Sequence, residues 1–189
     1  MGIGRIVRRR GDSYRSRFEI RDPDGVLMDV SGAEAVFTVR EFAGGTVLVS
    51  RMSETVTGTD GACVLDSVAF TSASPSAAFT SKLEGNVLAI ASGTNDVPGD
   101  YFIEACVSGT ALTLGSEPAT GGAMSAAVYS VGGDITLSAQ GVVSVGFNEE
   151  AMEGLELGKY VYDLELTFAD GTVQTVAADE FVVVGDVAV

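Results

Sequence analysis

Lys159-Tyr160-Val161-Tyr162-Asp163-Leu164-Glu165-Leu166-Thr167-Phe168, followed by Ala169-Asp170-Gly171, is the stretch that decides the fold. Tyr160, Tyr162, Leu164, Leu166 and Phe168 share one parity, and Val161, Asp163, Glu165 and Thr167 share the other. Successive side chains of a strand point to opposite faces, so this alternation buries one face and leaves the other polar. Asp170-Gly171 then supplies the turn of a hairpin. Thr172 to Ala177 and Glu180 to Val184 continue as strands.

The same pattern recurs at the other end of the chain. Tyr14 to Arg21 alternates, with Tyr14, Phe18 and Ile20 in phase. Asp22-Pro23-Asp24-Gly25 is a turn, since Pro presets φ and Gly tolerates positive φ. Val26 to Val30 reads as a short strand, Ala35 to Glu41 as a longer one, and Thr46 to Arg51 as a third after Gly44-Gly45. Gly141 to Phe147 carries Val143, Val145 and Phe147 in phase, and one helical turn is expected around Glu149 to Met152. These two ends, 14–61 and 136–189, predict one discontinuous antiparallel β-sandwich of seven or eight strands.

Residues 62–135 differ in texture, being rich in Ser, Ala, Thr and Gly. Val87 to Ile90, Gly99 to Val107, Ala111 to Leu114 and Ala126 to Tyr129 read as strands around short turns. The expectation is an inserted small β-domain of four to six strands, placed in a loop whose ends lie close together. The fold class is therefore all-β: an antiparallel β-sandwich with a second all-β domain inserted.

Charge is unevenly placed. The 189 residues carry a net charge of −15, yet residues 1–21 hold seven arginines against Asp12 and Glu19. Residues 1–13 predict an extended basic arm. Arg5, Arg8, Arg9, Arg10, Arg15 and Arg17 are the candidate partner-binding residues, suited to an acidic neighbour that includes copies of the chain itself. A nucleic-acid partner is not expected, because the acidic body repels phosphates. No apolar run approaches the roughly 18 residues of a membrane helix, and Arg8 to Arg10 interrupt any signal-peptide core.

Histidine is absent, which excludes Ser-His and Cys-His nucleophilic pairs. Cys63 and Cys106 stand apart without histidine, so neither a disulfide framework nor a zinc site is expected, and both read as small buried hydrophobes. Asp22, Asp24 and Gly25 begin like a calcium loop but lack its twelfth-position glutamate. Asn95, Asp96 and Asp100 read as turn residues in preference to a cation site. Arg10-Gly11-Asp12 has the letters of an integrin tripeptide, but it stands at a strand entry. No catalytic residue, metal or cofactor is expected. Asp163 and Glu165 read as a solvated sheet face in preference to a glycosidase pair.

Several motifs, taken in order, resemble a known family. They are Arg10-Gly11-Asp12, Phe18-Glu19-Ile20, Asp24-Gly25, Asp29-Val30-Ser31-Gly32-Ala33, Val36-Phe37-Thr38-Val39, Gly158-Lys159-Tyr160-Val161-Tyr162-Asp163-Leu164, Asp170-Gly171 and Phe181-Val182-Val183. Together they resemble the immunoglobulin-like N-terminal domain of bacteriophage baseplate upper proteins and related phage tail, fibre and neck proteins. The insert, through Ser92-Gly93-Thr94-Asn95, Gly99-Asp100-Tyr101 and Val131-Gly132-Gly133, is similar to a small β-module of phage structural proteins. The resemblance implies a non-enzymatic virion component, an adaptor of the tail, baseplate or neck that contacts other virion proteins. A capsid decoration protein and a glycan-binding module are the alternatives. The glycan reading requires exposed aromatics, best placed at Tyr101, Phe102 or Tyr129.

Overall fold

The computed structural model describes residues 5–9, 13–147, 152 and 155–185. The described elements are strands throughout, apart from one short 3₁₀ turn at Ser81–Leu83. The chain divides into two compact units: Met1–Glu54 with Gly133–Val189, and Thr55–Gly132.

The first unit contains β1 (Ile6–Arg9), β2 (Tyr14–Glu19), β3 (Glu34–Arg40), β4 (Val47–Met52), β11 (Ile135–Leu137), β12 (Val142–Phe147), β13 (Gly158–Thr167) and β14 (Val173–Val184). One sheet runs β1-β14-β13-β3-β4 and the other runs β11-β12-β2. With β2, β3, β4, β11, β12, β13 and β14 as strands B, C, C′, D, E, F and G, the sheets follow the immunoglobulin order, with C′ added to the GFC sheet and no C″ among the described strands. All pairings are antiparallel except β1 on β14, where Ile6 faces Phe181 in a parallel edge pair.

Aromatic rings close the two sheets over one another. Phe37 on β3 lies 5.2 Å from Tyr162 on β13, 5.3 Å from Phe147 on β12 and 6.0 Å from Phe18 on β2, centroid to centroid. Antibody domains place a tryptophan against a disulfide between strands B and F in this position. Here Phe18, Phe37 and Tyr162 fill the space, so burial of rings replaces the covalent staple. Tyr160, at the start of β13, donates its hydroxyl to the Glu156 carbonyl at 2.9 Å. A tyrosine near the start of strand F that bonds backbone a few residues upstream is the tyrosine corner of this fold. Burial pushes the neighbouring Tyr162 phenol up to about 12, with Asp179 adding to the effect.

The second unit is a closed barrel in the order β10-β5-β6-β9-β8-β7. Its strands are β5 (Thr55–Cys63), β6 (Ala69–Thr71), β7 (Val87–Thr94), β8 (Gly99–Ser108), β9 (Ala111–Leu114) and β10 (Met124–Gly132). Closure leaves no open sheet edge for another chain to extend. The interior holds Phe70, Phe79 and Tyr129, with Tyr129 5.0 Å from Phe70 in an edge-to-face pair. The Tyr129 hydroxyl donates to Ser72 Oγ at 2.7 Å, and Ser72 in turn donates to the Asp60 carboxylate.

Several expectations need correction. The unit boundary falls at 55 and 132, not at 62 and 135, because β5 pairs along its length with β10 and not with the outer sheets. Val26 to Val30 forms no strand beyond the single bridge Arg21–Leu27. Its backbone is spent on scattered bonds, Met28 to Ile20 and Val30 to Ser138. The two terminal strands are one, β14, carried past an irregularity opposite Leu164 and Glu165. β7 runs on from the expected Val87 to Ile90 as far as Thr94, and the turn comes at Asn95, whose φ is 56°. The helical turn expected around Glu149 to Met152 falls, but for Met152, outside the described residues. Cys63 is buried as expected, but Cys106 is half-exposed; both are free thiols.

Candidate interaction surfaces

The basic arm is the first correction at the level of the site. Ile6 alternates into the core, which makes Ile6–Arg9 an edge strand and not a free tether. Arg5 Nε lies 3.0 Å from Glu180 Oε2, and Lys159 Nζ lies 2.8 Å from the other oxygen of the same carboxylate. The acid that Arg5 meets is therefore in its own chain. Arg8 donates to Ser16 Oγ at 3.0 Å, and its guanidinium sits 4.3 Å above the Tyr14 ring. Burial pushes the Tyr14 phenol well above its ordinary range, against the opposing effect of Arg8 and Arg51. Arg9 is exposed, and Arg10 lies outside the described residues, as do Gly11 and Asp12.

Arg15 and Arg17 behave differently. They share the outward parity of β2 and are exposed, while Ser16 and Phe18 point inward. Their cross-strand neighbours on β12 are Gly146 and Ser144, which add almost no side chain to the face. Arg5, Arg21, Arg40 and Arg51 each have a carboxylate within 4 Å. No described acid pairs with Arg15 or Arg17. The face beside Arg17 is hollowed into an open depression of about 620 Å³, lined by Thr136, Ser138, Gln140 and Ser144 together with the outward-facing Val142. A second hollow of about 550 Å³ adjoins Arg15, Tyr14 and Asp134. β2 thus displays two cations on a flat, small-residue sheet with shallow concavities.

The outer face of the five-stranded sheet carries charge of both signs, and several of these charges are paired. Asp163 accepts from Thr38 Oγ1 at 2.8 Å and lies 3.7 Å from Arg40, so it is held within the sheet surface and not presented as an acid catalyst. A concavity of about 640 Å³ runs from this pair past Val161 and Lys159 to Glu180.

The barrel carries a surface that sequence reasoning missed. Three loops, 64–68, 95–98 and 115–123, lie at the end opposite Thr55 and Gly132, where the chain enters and leaves. They are tied together. The Glu117 carboxylate accepts from the Asp66 amide, Val97 N–H donates to the Pro118 carbonyl, and Thr120 N–H donates to the Asn95 carbonyl. The Asn95 side chain adds a bond to Ala123. On this fixed tip Val64 is 70 % exposed, and Leu65, Val68 and Val97 are exposed with it. The missed signal was local. Val64, Leu65 and Val68 surround Asp66-Ser67, a pair of turn residues, and aliphatic side chains around a turn have no strand face to bury them.

The remaining candidates resolve simply. Asp22 Oδ1 accepts from the amides of Asp24 and Val26, and Gly25 has φ 83°, so the stretch is a side-chain-capped turn. Among the described residues no group of three or more acids or cysteines is placed to hold a metal. Tyr101 and Tyr129, named for sugar stacking, are buried, with their hydroxyls bonded to the Val97 carbonyl and to Ser72; Phe102 is half-buried. Burial, reinforced by Glu117, pushes the Cys63 thiol up, and burial with Glu84 does the same for Cys106. Neither is poised as a nucleophile. No described helix is long and apolar enough to cross a membrane. No protein-family model matches the chain, and no curated protein does.

Proposed function

We propose that this chain is a non-enzymatic structural component of a bacteriophage particle, an adaptor in the tail, baseplate or neck that docks neighbouring subunits. The observation that carries the reading is an immunoglobulin-like sandwich with a closed barrel spliced between strands C′ and D. It coincides with the phage-like motifs at Phe18-Glu19-Ile20, Asp29-Val30-Ser31-Gly32 and Gly158-Lys159-Tyr160. Its mechanism is geometric. Buried rings make each unit stiff, barrel closure suppresses unwanted edge pairing, and exposed residues on fixed elements select the neighbour.

The arm enters this mechanism in altered form. Arg5 ties β1 to β14 of its own sheet and Arg8 reaches β2 of the facing sheet, while among the described residues Arg15 and Arg17 are the outward arginines of β2 offered to a partner. The test is gold labelling of purified particles with an antibody to this chain, viewed by electron microscopy. Label at the tail, baseplate or neck is the expected result. Uniform label over the head would replace the adaptor by a capsid decoration, and particles without label would overturn the virion reading.

A further inference from the structure

Two surfaces of this molecule carry charge of opposite sign. We propose that the barrel tip of one copy docks on the outer face of the β11-β12-β2 sheet of a second copy, joining copies head to tail. The tip presents Val64, Leu65 and Val97 on loops held by Glu117, Asn95 and their backbone bonds. Such a surface gives up little conformational entropy on binding. The receiving face offers the hollow beside Arg17, where polar residues surround the outward-facing Val142. Val142 gives the apolar tip a contact to withdraw from water, and the polar residues around it form a rim.

Charge favours the same occupant. The barrel unit, Thr55–Gly132, contains seven acids and one lysine, and Asp66, Asp96 and Glu117 are at its tip. Arg15 and Arg17, without a described acid partner, stand beside the hollows that would receive it. Rim charges of opposite sign steer encounter and set register more than they add affinity. The two surfaces differ, so the contact is heterologous: copies either close into a ring or continue as a filament. Three short loops make a small interface, of the weak class below about 1,200 Å². The association is therefore concentration-dependent, and repetition around a ring supplies the strength.

The experiment is sedimentation velocity of the full chain from micromolar to several hundred micromolar, on the order of weak-interface dissociation constants, at low and high salt. Wild type is expected to form oligomers reversibly, weakened by salt. Val64→Glu, on an exposed side chain, and the double variant Arg15→Glu/Arg17→Glu should each weaken association at least about tenfold while remaining folded by circular dichroism. Val97→Glu, on a different loop, repeats the tip test independently. Mixing V64E with R15E/R17E should restore a one-to-one complex, because each variant supplies the surface the other lacks. A wild type that stays monomeric throughout, variants that associate like wild type, or a mixture that remains monomeric would each overturn the proposal. It stands on these two surfaces alone and does not require that the particle labelling succeed.

Discussion

Replacing Gly61 by alanine should destabilise the barrel, against the usual sign of that substitution. Gly61 lies on β5 without a positive φ, so its backbone alone accepts alanine. At such a site Gly→Ala ordinarily stabilises by about 0.4–1 kcal/mol, because the unfolded chain loses freedom. Here the new Cβ would lie 2.7 and 2.8 Å from Phe70 Cζ and Cε2, and 2.9 Å from Ala127 Cβ. Phe70 and Ala127 are both fully buried, and the Phe70 ring is wedged edge-on against Tyr129, so none of these atoms has room to retreat. Overpacking of this kind costs about 1–3 kcal/mol. At the middle of both ranges the net is a loss of about 1.3 kcal/mol. Gly32, with no atom within 4 Å of its Cβ position and no positive φ, is the control and should show the ordinary small gain on alanine substitution. The assay is a urea titration followed by amide NMR. Barrel signals such as those of Phe70 and Ala127 should lose about 1 M of midpoint, while sandwich signals such as those of Val143 and Leu164 hold. A G61A barrel as stable as wild type, or more so, would refute the packing argument.

Tyr160→Phe removes the corner bond to Glu156 and should cost about 0.5–1.5 kcal/mol in the sandwich, measured by the same titration. Phe37→Ala empties the centre of the ring cluster and should cost about 3–5 kcal/mol, read from the sandwich midpoint. The Ser72 hydroxyl, then the Ser74 amide, hold the Asp60 carboxyl below its ordinary 3.8. A depressed folded value means that the contribution is present above 3.8 and disappears as pH falls through the lower folded value. Acid titration of Asp60→Asn should therefore lose less barrel stability below pH 3.8 than wild type does. With a thiol reagent under native conditions, Cys106 should react before Cys63, and both more slowly than in the unfolded chain, because burial raises each thiol and Cys63 is the more enclosed.

Parity carried most of the fold. The runs at Tyr14, Val142 and Tyr160 show alternation that only a half-buried strand uses, and the rings they bury are the rings that meet. The turns at Asp22-Gly25 and Asp170-Gly171 were legible because their chemistry is local: a carboxylate bonding nearby amides and a glycine at positive φ. Segments whose partners are distant were misread. Thr55 to Gly61 looked like outer-domain sequence, yet its glycines let the Tyr129 and Phe70 rings press onto β5 inside the barrel. Val26 to Val30 had strand-forming residues and no ladder to join.

The candidate site divides along the same line. By itself, the order of residues determined that this is an all-β chain, with a changed texture in its middle, no histidine chemistry and its cations gathered at one end. Those are properties of composition and of the two-residue strand repeat, and they need no knowledge of neighbours. Only the tertiary structure decided what each cation does. Arg5 and Arg8 are consumed because β1–β14 pairing brings Glu180 beside the one and the facing sheet brings the Tyr14 ring beside the other, while Arg15 and Arg17 are left outward by their parity on β2. Likewise it alone gathered Val64, Leu65 and Val97 at one end of the barrel. Their loops are bridged by the loop 115–123, whose closest members are more than 40 residues from Val68 in sequence. Charge and hydrophobicity belong to residues, but a surface is made by contacts between residues far apart in the chain, and those are set by strand pairing.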